Sequence, residues 1–462
     1  MASAVSALEG LWKDAGGDPA ALAGVTIRGS DPVLPTGFAI GTAASAVIAA
    51  AALAAAGLWR LRTGRGQTVS VDHRAAVAAF RSERFLCVDG QPPPDVRGPI
   101  FGFYPTADRR FVQLHVAMPH HLEGALRFLG CAATREAVAA TVAKWEAQAL
   151  EDALAAQGLP VGMVRSREEW LAHPQGRAVA TLPLLEIIRI GDAPARPVGD
   201  GARPLSGVRV LDLTRVLAGP ACGRALAAYG ADVMRITNPH LHDHGGHVMD
   251  MGLGKLSATL DLRTADGARR LRELVAGCDV FSQSFRPGAL ARFGFAPDDV
   301  AALRPGVVYV TLSAFGHEGP WRARRGFETI VQSVTGMAHE HGRALGLDRP
   351  QHLPAQVIDQ GTGYLAAFGA LMALARRSRE GGSWLVRVSL AQTGRWVDAL
   401  GRVDGRAGRE MKLADIADLL AECDSPFGRL RHVVPAGRLS ETPAYWSRPA
   451  VPLGTHEPVW PG

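Results

Sequence analysis

Along this chain, long runs of small apolar residues end in arginine-rich turns. The first, "GTAASAVIAAAALAAAGLWRLRTGRGQTVSV" (Gly41–Val71), is uncharged until Arg60, with Arg62 and Arg65 following. About 20 predominantly apolar residues can cross a bilayer, and basic residues after them suit a cytoplasmic flank. The content argues otherwise, because alanine dominates, and alanine forms helices well while being only weakly apolar. A long mixed-polar lead-in also sets it apart from a secretory signal, so no membrane span or targeting segment is expected. The same plan recurs at "VIDQGTGYLAAFGALMALARRSREGGSWLVRVSLAQTG" (Val357–Gly394): a small-residue helix, arginines, a Gly-rich turn and a short Val/Ser strand. With a one-residue gap in the turn, Asp359 falls opposite Gly41. The two segments read as one structural part used twice, a buried helix each time.

Between the copies the periodicity changes. Residues 1 to about 36 are a polar lead-in punctuated by Pro and Gly. "GFYPTADRRFVQLHV" predicts a hairpin, and "HHLEGALRFLGC" and "REAVAATVAKWEAQALEDALAAQG" predict amphipathic helices, giving an α+β module over about Gly98–Leu184. "IGDAPARPVGDGARPLSG" (Ile190–Gly207) is the most linker-like stretch. Beyond it, "VRVLDL", "ADVMRI", "DVFSQSF" and "GVVYVTLSAF" read as strands, and "ACGRALAAYG" and "TADGARRLRELVAGC" as helices. Strands alternating with helices over short connections imply an α/β fold with a doubly wound parallel sheet. Ligands bind such sheets beyond the carboxyl ends of the strands, where "TRVLAGP" and "SFRPGAL" lie. "TRVLAGP" lacks G-x-G-x-x-G spacing, so a strict dinucleotide site is unsupported. Its Gly219–Pro220 turn leads into a helix whose first amides can face an anion, or it is a plain strand–helix turn.

Composition adds bounds. The 462 residues are 47% hydrophobic and 20% charged, a globular balance with length for two or three domains. A net charge of +6 suits an anionic ligand, but it is spread out, with no basic–aromatic tract pointing to nucleic acid. Five scattered cysteines without a CxxC pair read as reduced thiols in a cytoplasmic protein.

"PLSGVRVLDLTRVLAGPACGRALAAYGADVMRI", "GKLSATLDLRTADGARRLRELVAGCDVFSQSFRPGALARFGF" and "RPGVVYVTLSAFGHEGP" together resemble the family III CoA-transferases (CaiB/BaiF type), most strongly over about Pro204–Leu390. Gly37–Phe80 resembles the helix and "TGRGQ" turn closing that family's first large-domain section. "FGFYPTADRRFVQLHV" through "EEWLAHPQGRA" resembles its small domain, and "LSETPAYWSRPAVPLGTH" its carboxyl-terminal segment. The order is rearranged, as if two family units were fused, the first without its front and the second without its small domain. The resemblance implies a degenerate large-domain segment (1–80), a small α+β domain (81–190), a linker (191–206), a Rossmann-like CoA-binding domain (207–400) and a return segment (401–462).

The resemblance also implies a chemistry. An Asp beginning the repeated helix is the family's nucleophile, and Asp359 matches it. A carboxylate attacks the donor thioester, the CoA thiolate returns to give an aspartyl thioester, and an acceptor acid takes the CoA. With an unperturbed pKa of about 4 it needs no activating base; the plainer reading of Asp359 is a helix N-cap. Val216, Leu217 and Ala218 match the loop lining the nucleotide site, Leu260 and Arg263 adenosine- and phosphate-side contacts, and Ser284 and Phe285 the usual Asn-Phe. Arg292 and Arg325 match basic positions near the phosphates, where guanidinium groups pair with anionic oxygen. Core packing for Leu260 and solvated surface for the arginines remain open. Thr237 and Asn238 depart from the usual acidic and basic pair, and no poly-glycine loop is present, which disfavours an oxalate-type reaction.

Two other readings share this fold. An α-methylacyl-CoA racemase pairs a His with the Asp for proton abstraction, but Phe327 stands where that His belongs, leaving His317 as a candidate. A CoA-binding protein without activity is the other. "HLHDHGGH" (His240, His242, His244, His247) is either a chelating set for zinc or nickel or a solvated loop, and His120 and His121 adjoin in the small module. The expectation is a cytoplasmic, homodimeric acyl-CoA transferase using CoA as substrate, with an acyl-CoA and a carboxylic acid as partners, and no metal or tightly bound cofactor.

Overall fold

The computed structural model describes residues 2–95, 97–241 and 245–461. Its largest element is a seven-stranded sheet. In spatial order the strands are Lys255–Thr259, Asp232–Thr237, Arg209–Leu213, Val280–Gln283, Val308–Ser313, Ser383–Ser389 and Glu186–Gly191. The first six are parallel, and Glu186–Gly191 is an antiparallel edge. Numbered along the chain, the parallel strands run 3-2-1-4-5-6, the doubly wound order whose switch point lies between Arg209–Leu213 and Val280–Gln283. The boundary expected at residue 190 therefore falls inside a strand of the large sheet: "EIIRIG" pairs with "SWLVRVS" because its β-branched residues complete that sheet's open edge.

Alternation along the strands buries both faces. Val210, Val280, Val308 and Val310 face one apolar core, and Leu211, Phe281 and Tyr309 face another. The first core also holds the two small-residue helices, Ile40–Thr63 and Val357–Glu380, which pack against each other. Among the described residues these two helices are long and apolar enough to cross a membrane, and both are almost wholly buried inside the protein. Each is 24 residues long, and each leads into a strand ending in a capping residue, Asp72 or Ser389, that opens a further helix. With helix starts aligned the copies match without a gap, so Thr42, not Gly41, lies opposite Asp359. The same number of residues separates the helix end from the capping residue in both copies (Thr63 to Asp72, Glu380 to Ser389), so the one-residue gap is not present. In the first copy the strand Val69–Asp72 pairs parallel with Val25–Arg28, a remnant of a sheet.

The small module has its own core. Gly102–Pro105 and Phe111–Leu114 form the hairpin expected, Val161–Met163 adds a third antiparallel strand, and helices Pro119–Leu129, Arg135–Val142 and Ala147–Ala156 cover it. The carboxyl-terminal tail returns along the large sheet's other edge, where His456 N donates to the Ser257 carbonyl and Trp460 Nε1 to that of Leu274.

Helix Ala218–Ala228 packs tightly on Val357–Glu380. A Cβ at Gly363 would lie 2.5 Å from the Ala218 carbonyl oxygen and 2.7 Å from Ala221 Cβ. Gly363→Val is therefore expected to lower unfolding free energy by about 1–3 kcal/mol through overpacking, read as a lower urea midpoint.

Candidate active site

A cleft of about 460 Å³ opens at the switch point, walled by the loops after Arg209–Leu213 and Val280–Gln283, the start of Val357–Glu380 and the small module. Asp212 organises the first loop. Its carboxylate accepts from Thr214 N (3.0 Å) and Thr214 Oγ1, and from Lys255 Nζ (2.7 Å), which also donates to the Pro220 carbonyl (2.8 Å). Asp212 and Lys255 are fully buried. Beyond Thr214, Val216 is held at φ 68°, a left-handed backbone that a β-branched residue adopts at a cost of about 1–2 kcal/mol. Helix Ala218–Ala228 then starts without a side-chain cap, leaving its first amides toward the cleft.

Asp359 is the third residue of its helix, and among the described residues its carboxyl caps no backbone amide. Instead its own amide is capped: Glu328 accepts from Asp359 N (2.9 Å) and Ile358 N (3.2 Å), and is held by Gln332 Nε2 (2.7 Å). The N-cap reading of Asp359 is thus overturned, Glu328 holding that role from another element. Asp359 is half-buried. Burial and the nearby Glu83 carboxylate push its carboxyl up to about 7, so the unperturbed carboxylate expected above is corrected. Burial and Asp359 itself raise Glu328 well above the usual range. Asp359 is the sole carboxylate among the described lining residues, facing Arg215, Arg286, Arg292, Arg322, Arg324 and Arg325. A half-buried carboxyl in a cleft with a cationic wall suits an anionic ligand bound beside a reactive oxygen.

The sequence pattern of CoA-transferase family III matches residues 19–186 and 205–409. The chain belongs to that family. It is similar to the acetyl-coenzyme A transferase nodX of Hypoxylon pulicicidum, 31% identical over 73% of this chain and 59% of the relative. It is also similar to the succinyl-CoA–D-citramalate CoA-transferase of Chloroflexus aurantiacus, 34% identical over 41% of this chain and 48% of the relative. A solved CaiB/BaiF family protein from Brucella suis aligns over 42% of this chain and 55% of its own, with 29% identity and a TM-score of 0.37. The chain spans about half the length of these relatives.

Most family-implied positions converge. Val216, Leu217, Ala218, Ser284, Phe285, Arg292, Arg325 and Asp359 all line the cleft. Leu260 and Arg263 do not: Leu260 packs into the sheet's second core, and Arg263 is exposed and tied to Asp261. His317 lies in a neighbouring cleft, 3.4 Å from Glu186. Of the histidine-rich stretch, His242 and His244 lie outside the described residues, and His240 lies 3.5 Å from Asp261. Among the described residues no group of His, Cys, Asp and Glu suits a metal. No local pattern marks Glu328 or Lys255, whose roles come from tertiary contacts, while Arg215 sits unmarked in the strand-end loop "TRVLAGP". His120 and His121, adjacent in the chain, both line the cleft from the small module.

Lys255→Met would leave Asp212 buried without its charge partner. A loss of about 3–5 kcal/mol in unfolding free energy is expected, measured by urea denaturation, with Lys255→Arg losing less.

Proposed function

We propose that this chain is an acyl-CoA transferase that moves CoA from an acyl-CoA donor to a carboxylic acid through covalent intermediates on Asp359. The observation that carries this is the position of Asp359, which among the described residues is the one carboxylate lining an arginine-rich cleft at the sheet's switch point. Its carboxylate oxygen attacks the thioester carbonyl, forming a mixed anhydride and releasing CoA thiolate. The thiolate attacks the Asp359 carbonyl, giving an aspartyl thioester and the donor's free acid. The acceptor carboxylate attacks that thioester, releasing thiolate again, and the thiolate takes the acceptor acyl group while Asp359 leaves as carboxylate. Each step exchanges one acyl bond for another, and no proton need move once Asp359 is ionised. The arginines supply charge for the phosphates of CoA, and the nodX and D-citramalate relatives carry CoA-transferase names.

A racemase needs a second base beside Asp359. Phe327 occupies the implied position, and its ring is stacked on His115 with centroids 3.8 Å apart. The position of His317 in the neighbouring cleft weighs against that reading as well. Retention of a cleft-facing carboxyl weighs against a purely binding role.

Asp359→Ala is expected to abolish CoA exchange while leaving CoA binding intact. Incubation with an acyl-CoA should add an acyl or CoA adduct to Asp359 by mass spectrometry; unmodified protein with undiminished exchange would refute the relay. Because the folded carboxyl titrates near 7, the reactive anion is lost as pH falls below that value. Single-turnover acylation should therefore rise with pH through about 7 and fall about tenfold per unit on the acid side, as a pH–rate profile would show.

A further inference from the structure

Residues 324–329 form a strap between the large sheet and the small module, and the small module grips it along its length. Arg324 donates to the Val161 carbonyl (3.1 Å) and lies 3.4 Å from Glu151. Arg325 Nη1 is 2.7 Å from His121 Nε2. Phe327 stacks on His115 with rings 6° from parallel, and Thr329 Oγ1 is 3.1 Å from His115 Nδ1. The next link is Glu328, which caps the helix carrying Asp359.

His121 stands out within this grip. A guanidinium can only donate, so Nε2 is the acceptor and the ring proton sits on Nδ1. The residue is 3% exposed, and Nδ1 is buried with no hydrogen-bond partner among the described residues. The ring packs against His120 and Phe327, as an apolar side chain could, so among the described residues its bond to Arg325 is what an imidazole adds over an apolar side chain in the same space. Burial, then His120, Arg325 and Arg215, push its pKa down to about 3, so the Nε2 lone pair stays available at neutral pH. Arg325 in turn lines the cleft at the end it shares with Arg215 and Arg286.

We propose that His121 is a positioning residue: it fixes the Arg325 guanidinium so that its remaining N–H groups face the phosphates of a bound CoA ester. The small module would thus set CoA affinity through a histidine that touches no substrate. This rests on the CoA-transferase reading above and deepens it.

The test is a double-mutant cycle on the full chain, with affinity for CoA itself measured by calorimetry so that no turnover is required. His121→Ala and Arg325→Ala should each weaken CoA binding about tenfold, the scale of one charge-assisted hydrogen bond. The double variant should be no weaker than the worse single one. His121→Gln, whose amide oxygen can replace Nε2 as acceptor, should stay within about threefold of the native chain, whereas His121→Asn should behave like His121→Ala. In turnover, KM for the acyl-CoA should rise with little change in kcat. Additive losses, failure of Gln to rescue, or unchanged CoA affinity in His121→Ala would each overturn the proposal while the transferase reading stands. A native chain that fails to bind CoA would overturn both. If His121→Ala does not fold, the contrast between Gln and Asn decides by itself.

Discussion

The close approach of two helices governs the site. Ala218–Ala228 follows the first strand of the sheet, and Val357–Glu380 crosses it where Gly363 leaves no room for a side chain. Packing interiors are dense enough that an approach of this kind is all or nothing. Given it, Asp359 must emerge beside the loop after Arg209–Leu213, because it lies one helical turn from Gly363. The loop is fixed independently, by a buried ion pair from Asp212 to Lys255 that reaches over the intervening strand. Such a pair is a poor source of net stability but a strong constraint on geometry, since breaking it strands a charge in the interior. Loop and carboxyl are thus placed by separate devices that meet at one cleft.

Among the described residues only the second copy of the repeated helix lines the cleft that holds Asp359. Both copies start with a carboxylate from elsewhere binding two amides: Asp31 accepts from Gly41 N and Thr42 N at 2.8 and 2.7 Å, and Glu328 accepts from Ile358 N and Asp359 N. The cap is common to both; the chemistry is not. In the first copy Thr42 stands where the second has Asp359, and a Cβ at Gly41 would meet Asp31 Oδ1 at 2.6 Å and His73 Cδ2 at 2.8 Å. Thr42 itself is buried, so at the position of Asp359 the first copy presents no carboxyl to a cleft. The first copy has become core, while the module that follows it lends His115, His120 and His121 to the second.

Much of this was legible in the chain. Alternation and turn residues marked the strands of the large sheet and the hairpin at Gly102–Leu114, because each depends on local pattern. Val216 and Ser284 lie in loops at strand ends, which the doubly wound topology picks out, whereas Arg292 was implied by the family resemblance alone. What escaped was set by contacts remote in sequence. Glu328 caps a helix that begins about thirty residues later, Lys255 reaches across a strand, and the edge strand Glu186–Gly191 pairs antiparallel beside a linker-like stretch. Leu260 and Arg263 lie away from the cleft by local means: Asp261, two residues before Arg263, holds the guanidinium, and the core takes the leucine.

The raised pKa of Asp359 changes how its proposed chemistry should be understood. An exposed aspartate would be ionised throughout the neutral range but weakly basic, and so a poor nucleophile toward a thioester. Burial beside Glu83 destabilises the anion, leaving it part-ionised near pH 7 and more reactive when ionised. Glu328 plays a different part, since its oxygens are occupied by the helix amides and Gln332, which holds the neighbouring carboxylate in place without competing for the substrate. The opposing field comes from the arginines of the cleft wall. They line the cleft, and among the described residues no ion pair joins them to Asp359, so the proposed nucleophile is not quenched by a bound cation. Separation of the charge that recognises from the charge that reacts is what this arrangement of loop, strap and helix achieves.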